Sequence, residues 1–221
     1  MADFPLFINM EGRKVIVIGG GAVALRKIRI LKEYGADIQV ISSKILDDLK
    51  LLADNENLGW FSENMAEYKL ACLNGAFLVI CASDNEAVNR MAAAHCRKHH
   101  ILVDCAKPGE ASDCVFPSVV RRGNVVIGIS TSGGVPALTR HLREKIASLI
   151  PEWYGELETK LREKRKHLKM SGLSEADRRD YLRRWIEEEE KIREDGGGQH
   201  ENRNEKEPSG HGADGDGGGS H

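Results

Sequence analysis

Three consecutive glycines near the start of the chain are the residues whose spacing most clearly predicts chemistry. Residues 14–18 read KVIVI, a β-favouring run that stops at the glycines just before a helical pattern begins. The sequence fits G-x-G-x-x-A with Gly19, Gly21 and Ala24 in the places that a dinucleotide-binding turn requires. Gly19 permits a tight turn, Gly21 lets backbone approach a pyrophosphate, and Ala24 lets helix pack closely on strand. We expect phosphate at the start of this helix, with contacts at Gly19, Gly21, Ala22, Val23 and Ala24.

The residues after the second predicted strand bear on which nicotinamide cofactor the turn accepts. An NAD site usually carries Asp or Glu about 20 residues past the first glycine, bonded to the ribose 2′-hydroxyl. Here the strand at 37–41 runs into Ser42, Ser43 and Lys44, with no acid. The two serines are suited to bonding ribose hydroxyls, and Lys44 is compatible with a 2′-phosphate. These residues leave NAD and NADP both open, and a glycine-rich turn that binds nothing is the remaining alternative.

Asp104 is the candidate for acid–base chemistry. It ends a predicted strand, at the carboxyl edge of a parallel sheet where a nicotinamide would lie. A dehydrogenation needs a base for the proton that accompanies the hydride, and Asp104 is suited to that role. From position alone, a turn or cap residue at a strand end is an equal interpretation. A continuous apolar run at 76–82 predicts a second strand ending at the same edge, with cofactor contacts at Ala82, Ser83 and Asp84.

Strand and helix patterns alternate through the first half of the chain. Strands are predicted at 14–18, 37–41, 58–61, 76–82 and 101–104, and helices at 23–34, 44–53, 65–73 and 86–99. Such alternation is typical of a parallel, doubly wound α/β sheet of Rossmann type. We expect this NAD-binding domain to span residues 1–113.

The pattern changes after residue 113. Apolar runs at 114–120 and 124–130 flank Arg121-Arg122-Gly123, which predicts an antiparallel hairpin that is too small to be stable alone. Its partner strands come from this chain or from a second copy. A helix follows to Ile150, and the region 114–150 is predicted to serve dimerisation and substrate binding. Residues 151–194 predict a helical hairpin, and residues 195–221, without hydrophobic side chains, a disordered tail.

Composition excludes several other classes of protein. The 221 residues carry a net charge of −2, which gives no basic field for nucleic acid. The mixed charges around Lys164–Lys166 favour a solvated helix face over a nucleic-acid site. The histidines after residue 195 are interpreted as part of an inert tail instead of a weak metal site. No apolar run approaches the roughly 18 residues of a membrane span. Five cysteines without a C-x-x-C pair, together with an N-terminus unlike a signal peptide, favour reduced thiols in the cytoplasm. No metal site is predicted.

Several ordered motifs together resemble the precorrin-2 dehydrogenase family of sirohaem synthesis, which includes the N-terminal half of the bacterial multifunctional sirohaem synthase. The resemblance covers residues 1 to about 150. The matching segments are FPLF at 4–7, VIGGGAVA at 17–24 with Lys27, CASDN at 81–85 with Asn89, VD at 103–104, SDCVFPS at 112–118, ISTSGGVPAL at 129–138, and LR at 142–143.

The resemblance implies NAD-dependent oxidation of precorrin-2 to sirohydrochlorin on a homodimer, with Asp104 as general base. Some family members also insert ferrous iron in the same cleft. Three departures fall near the substrate side, at Cys114, Ser132 and Val135, where the family often has an aromatic residue, glycine and serine. Because precorrin-2 carries many carboxylates, we expect basic side chains and helix-start N–H groups around it. The candidates are Arg121, Arg122, Arg140 and Arg143, with Gly133 and Gly134.

Two alternatives remain open. One is a bifunctional dehydrogenase–chelatase in which Asp104, with His141, assists metal insertion. The other is a non-catalytic NAD-sensing module, which needs the glycine turn but not Asp104 or the hairpin. Asp113 and His141 are the next candidates for a base if Asp104 only caps its strand.

Overall fold

Five short apolar strands form the parallel sheet that the alternating pattern predicts. In the computed structural model these are β1 (Lys14–Ile18), β2 (Asp37–Ile41), β3 (Gly59–Phe61), β4 (Leu78–Cys81) and β5 (Leu102–Cys105). The spatial order is β3-β2-β1-β4-β5, and every neighbouring pair is parallel. The structure describes residues 3–56, 58–62, 70–106, 112–132 and 134–195. The chain winds outward from β1 in both directions, so the predicted Rossmann-type fold is confirmed.

Helices cover both faces of this sheet because its strands are apolar on both sides. They are α1 (Ala22–Lys32), α2 (Asp47–Glu56) and α3 (Glu86–Lys98), with a 3₁₀ helix at Leu70–Leu73. Alternate residues of β1 point to opposite faces, as the period of a strand requires. Val15 and Val17 pack in a cluster with α1, whereas Ile16 and Ile18 pack in a cluster with α3. Two apolar layers therefore fix the sheet between helices.

The structure corrects one predicted helix and describes only part of another. The helix predicted at 44–53 begins at Asp47, because the Leu46 N–H donates to the Gly20 carbonyl at 3.0 Å and holds the preceding residues in a loop. Of the helix predicted at 65–73, only the 3₁₀ helix from Leu70 lies among the described residues.

The predicted antiparallel hairpin is confirmed, but its first strand is shifted along the chain. It consists of β6 (Ser118–Arg122) and β7 (Val125–Ile129), with Arg122 opposite Val125. The turn is therefore Gly123-Asn124, and Gly123 supplies the left-handed φ of +55°. Arg121 and Arg122 belong to the strand instead of the turn. The shift follows from Pro117, which has no N–H to donate to a ladder.

Three helices complete the described chain: α4 (Pro136–Leu149), α5 (Trp153–Met170) and α6 (Glu175–Asp195). The predicted helical hairpin is α5 and α6, and Ser174 Oγ caps α6 by accepting the Asp177 N–H at 3.2 Å. The Lys164 ammonium lies 4.4 Å from the centroid of the Trp185 ring, so this lysine contributes to the packing of α5 on α6. The tail predicted to be disordered lies outside the described residues from position 196 onward.

The chain divides into two compact units. The first comprises Met1–Pro117 and Ser130–Pro136, and therefore contains the parallel sheet. The second comprises Ser118–Ile129 and Ala137–His221, and therefore contains the hairpin and almost all of α4 to α6. Across the described ranges, no helix has the length and apolar character needed to cross a membrane.

Candidate cofactor and catalytic site

The carboxyl ends of β1, β2, β4 and β5 meet at one edge of the sheet in the first unit. Backbone hydrogen bonds extend the strand pairing into the loops that leave this edge. The Gly19 N–H donates to Ile41 O at 2.9 Å, and the Ala82 N–H donates to Ile18 O at 2.8 Å. The loops after β1, β2 and β4 are thus held side by side, as expected where the strand order reverses in an open α/β sheet.

Gly19 is required by the fold itself. Its φ is +111°, a backbone conformation that side chains rarely adopt. A Cβ atom here would overlap the Ala82 carbonyl group and lie 2.9 Å from the Ser83 nitrogen. The end of β1 therefore passes so close to the end of β4 that only glycine fits.

Unlike at Gly19, the described protein around Gly21 leaves room for a side chain. This difference supports a ligand bound at Gly21. Its φ of −86° and ψ of −174° are open to any residue, and apart from its two chain neighbours no described residue has an atom within 4 Å of its Cβ position. Gly21 is the N-cap of α1, whose first turn holds no acid. The exposed helix start at Ala22 and Val23 thus combines N–H groups, a positive dipole end and open space. This arrangement fits a phosphate of a dinucleotide.

The loop after β2 is ordered by its own serine. Ser42 Oγ donates to Lys44 O at 2.6 Å, and the Trp60 indole N–H donates to Ser42 O at 3.1 Å. The Ser42 hydroxyl oxygen keeps lone pairs that can accept from a ribose hydroxyl. Ser43 and Lys44 are exposed.

The loop after β4 is held by Asn89, a residue that the sequence analysis noted only within the family resemblance. Asn89 is fully buried on α3. Its Nδ2 donates to Ser83 O at 2.9 Å, and its Oδ1 accepts the Ser83 N–H at 3.2 Å. The amide therefore fixes both sides of Ser83 between Ala82 and Asp84. The sequence held a signal for this buried amide, because Asn89 is a polar residue on the same helical face as the apolar Val88, Ala92 and Cys96.

Asp104 of β5 lies on the face of the sheet that α1 covers. It pairs in register with Ile80, which in turn pairs with Val17, and both belong to the cluster beneath α1. Only 4% of Asp104 is exposed. The carboxylate forms a buried ion pair with the Lys27 ammonium, which is itself 6% exposed.

The pairing with Lys27 was missed by the sequence analysis, although a signal existed. Lys27 follows Ala24 by three residues and precedes Ile28 and Leu31, all of which are buried on α1. A charged residue on such an apolar stripe is rarely buried unless it is paired.

Asp113 and Cys114 lie beside β5, the strand that carries Asp104. The Asp113 N–H donates to Val103 O at 2.8 Å, and its Oδ2 accepts the Val103 N–H at 3.2 Å. Burial raises the pKa of the Cys114 thiol to about 12, and the negative charge of Asp104 adds to the rise. Cys114 is therefore a neutral thiol at physiological pH. The Asp113 carboxylate is occupied with the backbone of β5.

The predicted substrate residues are distributed over both units. Gly133 lies outside the described residues, and the Gly134 N–H donates to Thr131 O at 3.0 Å in the first unit. In the second unit, Arg140 is exposed and pairs with Glu144 at 3.0 Å, and the exposed Arg121 donates to Gly123 O at 3.1 Å. His141 is also exposed, and Arg143 is half-buried.

Arg122 has a different environment from the one expected of a substrate contact. Its Nε donates to Ile150 O at 2.7 Å, and its Nη2 donates to Ala147 O at 3.1 Å. These are carbonyls at the end of α4, which need donors from outside the helix. Arg122 therefore caps α4, and only 15% of its side chain is exposed.

Comparisons with known proteins agree with this geometry. Residues 6–118 match a family model with the description "Putative NAD(P)-binding". The siroheme synthases of Neisseria meningitidis serogroup B and Chromobacterium violaceum are 38% and 35% identical to the chain, over 163 and 157 residues. Each alignment covers 71% of this chain but only 32% and 33% of the relative. The chain thus spans about a third of the length of these curated relatives.

A solved structure named "SirC, precorrin-2 dehydrogenase" shares the fold. It superposes with a TM-score of 0.70 at 24% identity, covering 83% of this chain and 89% of the other. This structure confirms the fold, and with the family model and the siroheme synthase relatives it confirms the resemblance inferred from the sequence motifs.

The contrast between the two glycines generates a test of the phosphate site. Gly21→Asp is expected to weaken NADH binding by about tenfold or more, because the carboxylate repels phosphate and fills the open space. Thermal stability is expected to stay unchanged or rise, since aspartate is a good N-cap. Fluorescence titration with NADH and a thermal melt measure the two effects.

Gly19→Ala is the matched variant, and it is expected to lower thermal stability because of the left-handed φ and the contact with Ala82. Unchanged NADH affinity in a folded Gly21→Asp protein would contradict the phosphate site.

Proposed function

Because the chain belongs to the NAD(P)-binding family whose model it matches, we propose that it oxidises precorrin-2 to sirohydrochlorin, with NAD as the hydride acceptor. One observation carries the proposal. A buried carboxylate, Asp104, lies in a strand that ends at the same sheet edge as the glycine turn. A module that only senses the nucleotide has no use for a buried acid there. The similarity to siroheme synthases and the fold shared with a precorrin-2 dehydrogenase support the choice of substrate.

The first task of the chain is to hold the cofactor. The N–H groups of Ala22 and Val23 and the dipole of α1 bind the pyrophosphate. The Ser42–Lys44 loop binds the adenosine ribose, and the Ala82–Asp84 loop, fixed by Asn89, lines the nicotinamide side. NAD, when bound, supplies the acceptor for a hydride.

The second task is to remove a proton. Oxidation of precorrin-2 releases two electrons and two protons, and one proton leaves with the electron pair as hydride. Asp104 accepts the other. Its Oδ2 faces Lys27, and among the described residues Oδ1 accepts no hydrogen bond, so Oδ1 is the atom that takes the proton. A positioned base of this kind contributes about 100-fold or more to a rate.

The third task is to bind a large polyanion. The exposed Arg121 and Arg140 are the groups that we propose for the carboxylates of the macrocycle, and Gly133 and Gly134 stay candidates from the sequence alone. We place the reaction in the cytoplasm, where thiols stay reduced, and the five cysteines, which form no disulfide among the described residues, support this location.

A second candidate activity is insertion of ferrous iron into sirohydrochlorin. The relatives at 38% and 35% identity are named for siroheme, an iron tetrapyrrole, and the reaction requires loss of protons from the macrocycle. The same purified protein, supplied with sirohydrochlorin and Fe²⁺ under anaerobic conditions, separates the two activities by their absorption spectra.

Asp104→Asn tests the base. It is expected to lower the single-turnover rate of precorrin-2 oxidation by about 100-fold at saturating NAD, because the amide cannot accept the proton. NADH affinity is expected to stay near that of the wild type. Asparagine is preferred to alanine, because truncation would leave the buried Lys27 with no oxygen facing it.

Asp37→Asn is the control for this variant, since it removes the same charge from an exposed residue of the same sheet. A rate close to that of the wild type in Asp104→Asn would contradict the assignment and direct the search to Asp113 and His141.

Cofactor preference is a separate test. We expect a higher kcat/KM with NAD than with NADP, as the family resemblance implies, although Ser43 and Lys44 do not exclude a 2′-phosphate. Steady-state assays with both cofactors measure the ratio. A strong preference for NADP would show that the loop after β2 selects the phosphate.

We also propose that the protein is a homodimer. In the second unit, α4 has no buried residue, and its apolar side chains Leu138 and Leu149 are 45% and 67% exposed. The hairpin has two strands, fewer than an independently stable sheet needs. Light scattering at micromolar concentration is expected to give twice the chain mass, and Leu138→Glu to shift it toward the monomer. A monomer mass for the wild type would contradict the dimer.

A further inference from the structure

We propose that Lys27 is a positioning residue that holds the Asp104 carboxylate and fixes its orientation for proton removal. This inference rests on the proposed dehydrogenase function and adds a second residue to it. Lys27 touches neither cofactor nor substrate in this proposal, and it acts through Asp104.

The first support is that the lysine is held in the core. Lys27 occupies the same face of α1 as Ala24, Ile28 and Leu31, which pack against the sheet. A lysine at a surface position can turn its ammonium into water, but one that is 6% exposed cannot do so without disrupting this packing. The ammonium therefore stays with the carboxylate, and Asp104 is the acid within ion-pair distance of it among the described residues.

The second support is the set of groups around the pair. The Phe116 ring lies with its centroid 4.9 Å from the Lys27 ammonium and stabilises the cation through its π face. The Cys114 thiol is neutral, because burial raises its pKa to about 12, and the charges of Asp104 and Asp113 add to the rise. The Asp113 carboxylate accepts the Val103 N–H, so Lys27 is the cation that faces Asp104 among the described residues.

The third support is energetic. Burying two charges costs several kcal/mol each, and a buried ion pair is on average no more stabilising than well-packed apolar residues. Leucine or methionine at 27 would suit the apolar stripe of α1. A lysine there is explained by what it does to the carboxylate. Without the ammonium, the buried carboxylate would lose the group that fixes its direction.

The experiment compares Lys27→Met, Lys27→Gln and Lys27→Arg with the wild type in single-turnover oxidation of precorrin-2 at saturating NAD. The two neutral variants are expected to lose about tenfold or more in rate, while NADH affinity stays within about threefold because the phosphate site is unchanged. Lys27→Arg, which keeps the charge, is expected to retain most of the rate. Arg26→Met, an exposed cation on the same helix, is the control and is expected to match the wild type.

Rescue of the rate by Lys27→Arg and a double-mutant cycle with Asp104→Asn separate positioning from a merely structural role. In an Asp104→Asn background, Lys27→Met is expected to change the rate by less than about twofold, since the two residues act as a unit. Thermal melts of every variant show which proteins are folded, and Lys27→Gln replaces Lys27→Met if the latter is not.

The possible failures are distinct. A wild-type protein that does not oxidise precorrin-2 would overturn the proposed function and this inference together. If the wild type is active and Asp104→Asn is not, a folded Lys27→Met or Lys27→Gln with undiminished rate would overturn the inference alone. An equal fold-loss of rate from Lys27→Met in the wild-type and the Asp104→Asn backgrounds would also overturn the inference alone, because Lys27 would then act independently of Asp104.

Discussion

The close approach of β1 to β4 at Gly19 is the constraint on which the rest of the first unit depends. The backbone of Gly19 lies against the Ala82 carbonyl and the Ser83 nitrogen, where a Cβ atom has no room. This contact joins the loop that precedes α1 to the loop that precedes α3. It sets where α1 starts, and the start of α1 sets which of its residues face the sheet. The position of Lys27 over Asp104 follows from that geometry.

Burying the ion pair of Lys27 and Asp104 costs the first unit free energy of folding. The cluster around this pair is apolar, and the sheet face beneath α1 would be as stable or more stable with apolar side chains at both positions. The pair joins α1 to β5, two elements on different sides of the strand-order reversal. Because structural requirements alone do not explain this buried pair near the glycine turn, we assign it to the proposed function.

The second unit combines a small hairpin with three helices. Gly155 of α5 lies against the backbone of Arg122, where a Cβ would be 2.9 Å from the Arg122 carbonyl carbon, so helix and turn are in backbone contact. Arg122 itself caps α4 through two carbonyls. These contacts order the hairpin at its turn, whereas α4 keeps an exposed apolar side. The unit is thus ordered internally, and the exposed apolar side of α4 is the surface that we propose for a second copy.

The sequence by itself determined the class of fold, the glycine turn and the position of Asp104 at the end of a strand. Period-two and period-3.6 patterns are local, and a strand that stops at glycines before a helix allows few structures. The start of α2 and the register of β6 were not predictable in this way, because a hydrogen bond from Leu46 to Gly20 and the break at Pro117 decided them. The roles of Asn89, Arg122 and Lys27 were also decided by tertiary structure. Each depends on a partner far away in the chain, and the pattern around a polar residue shows that it is buried without showing which group satisfies it.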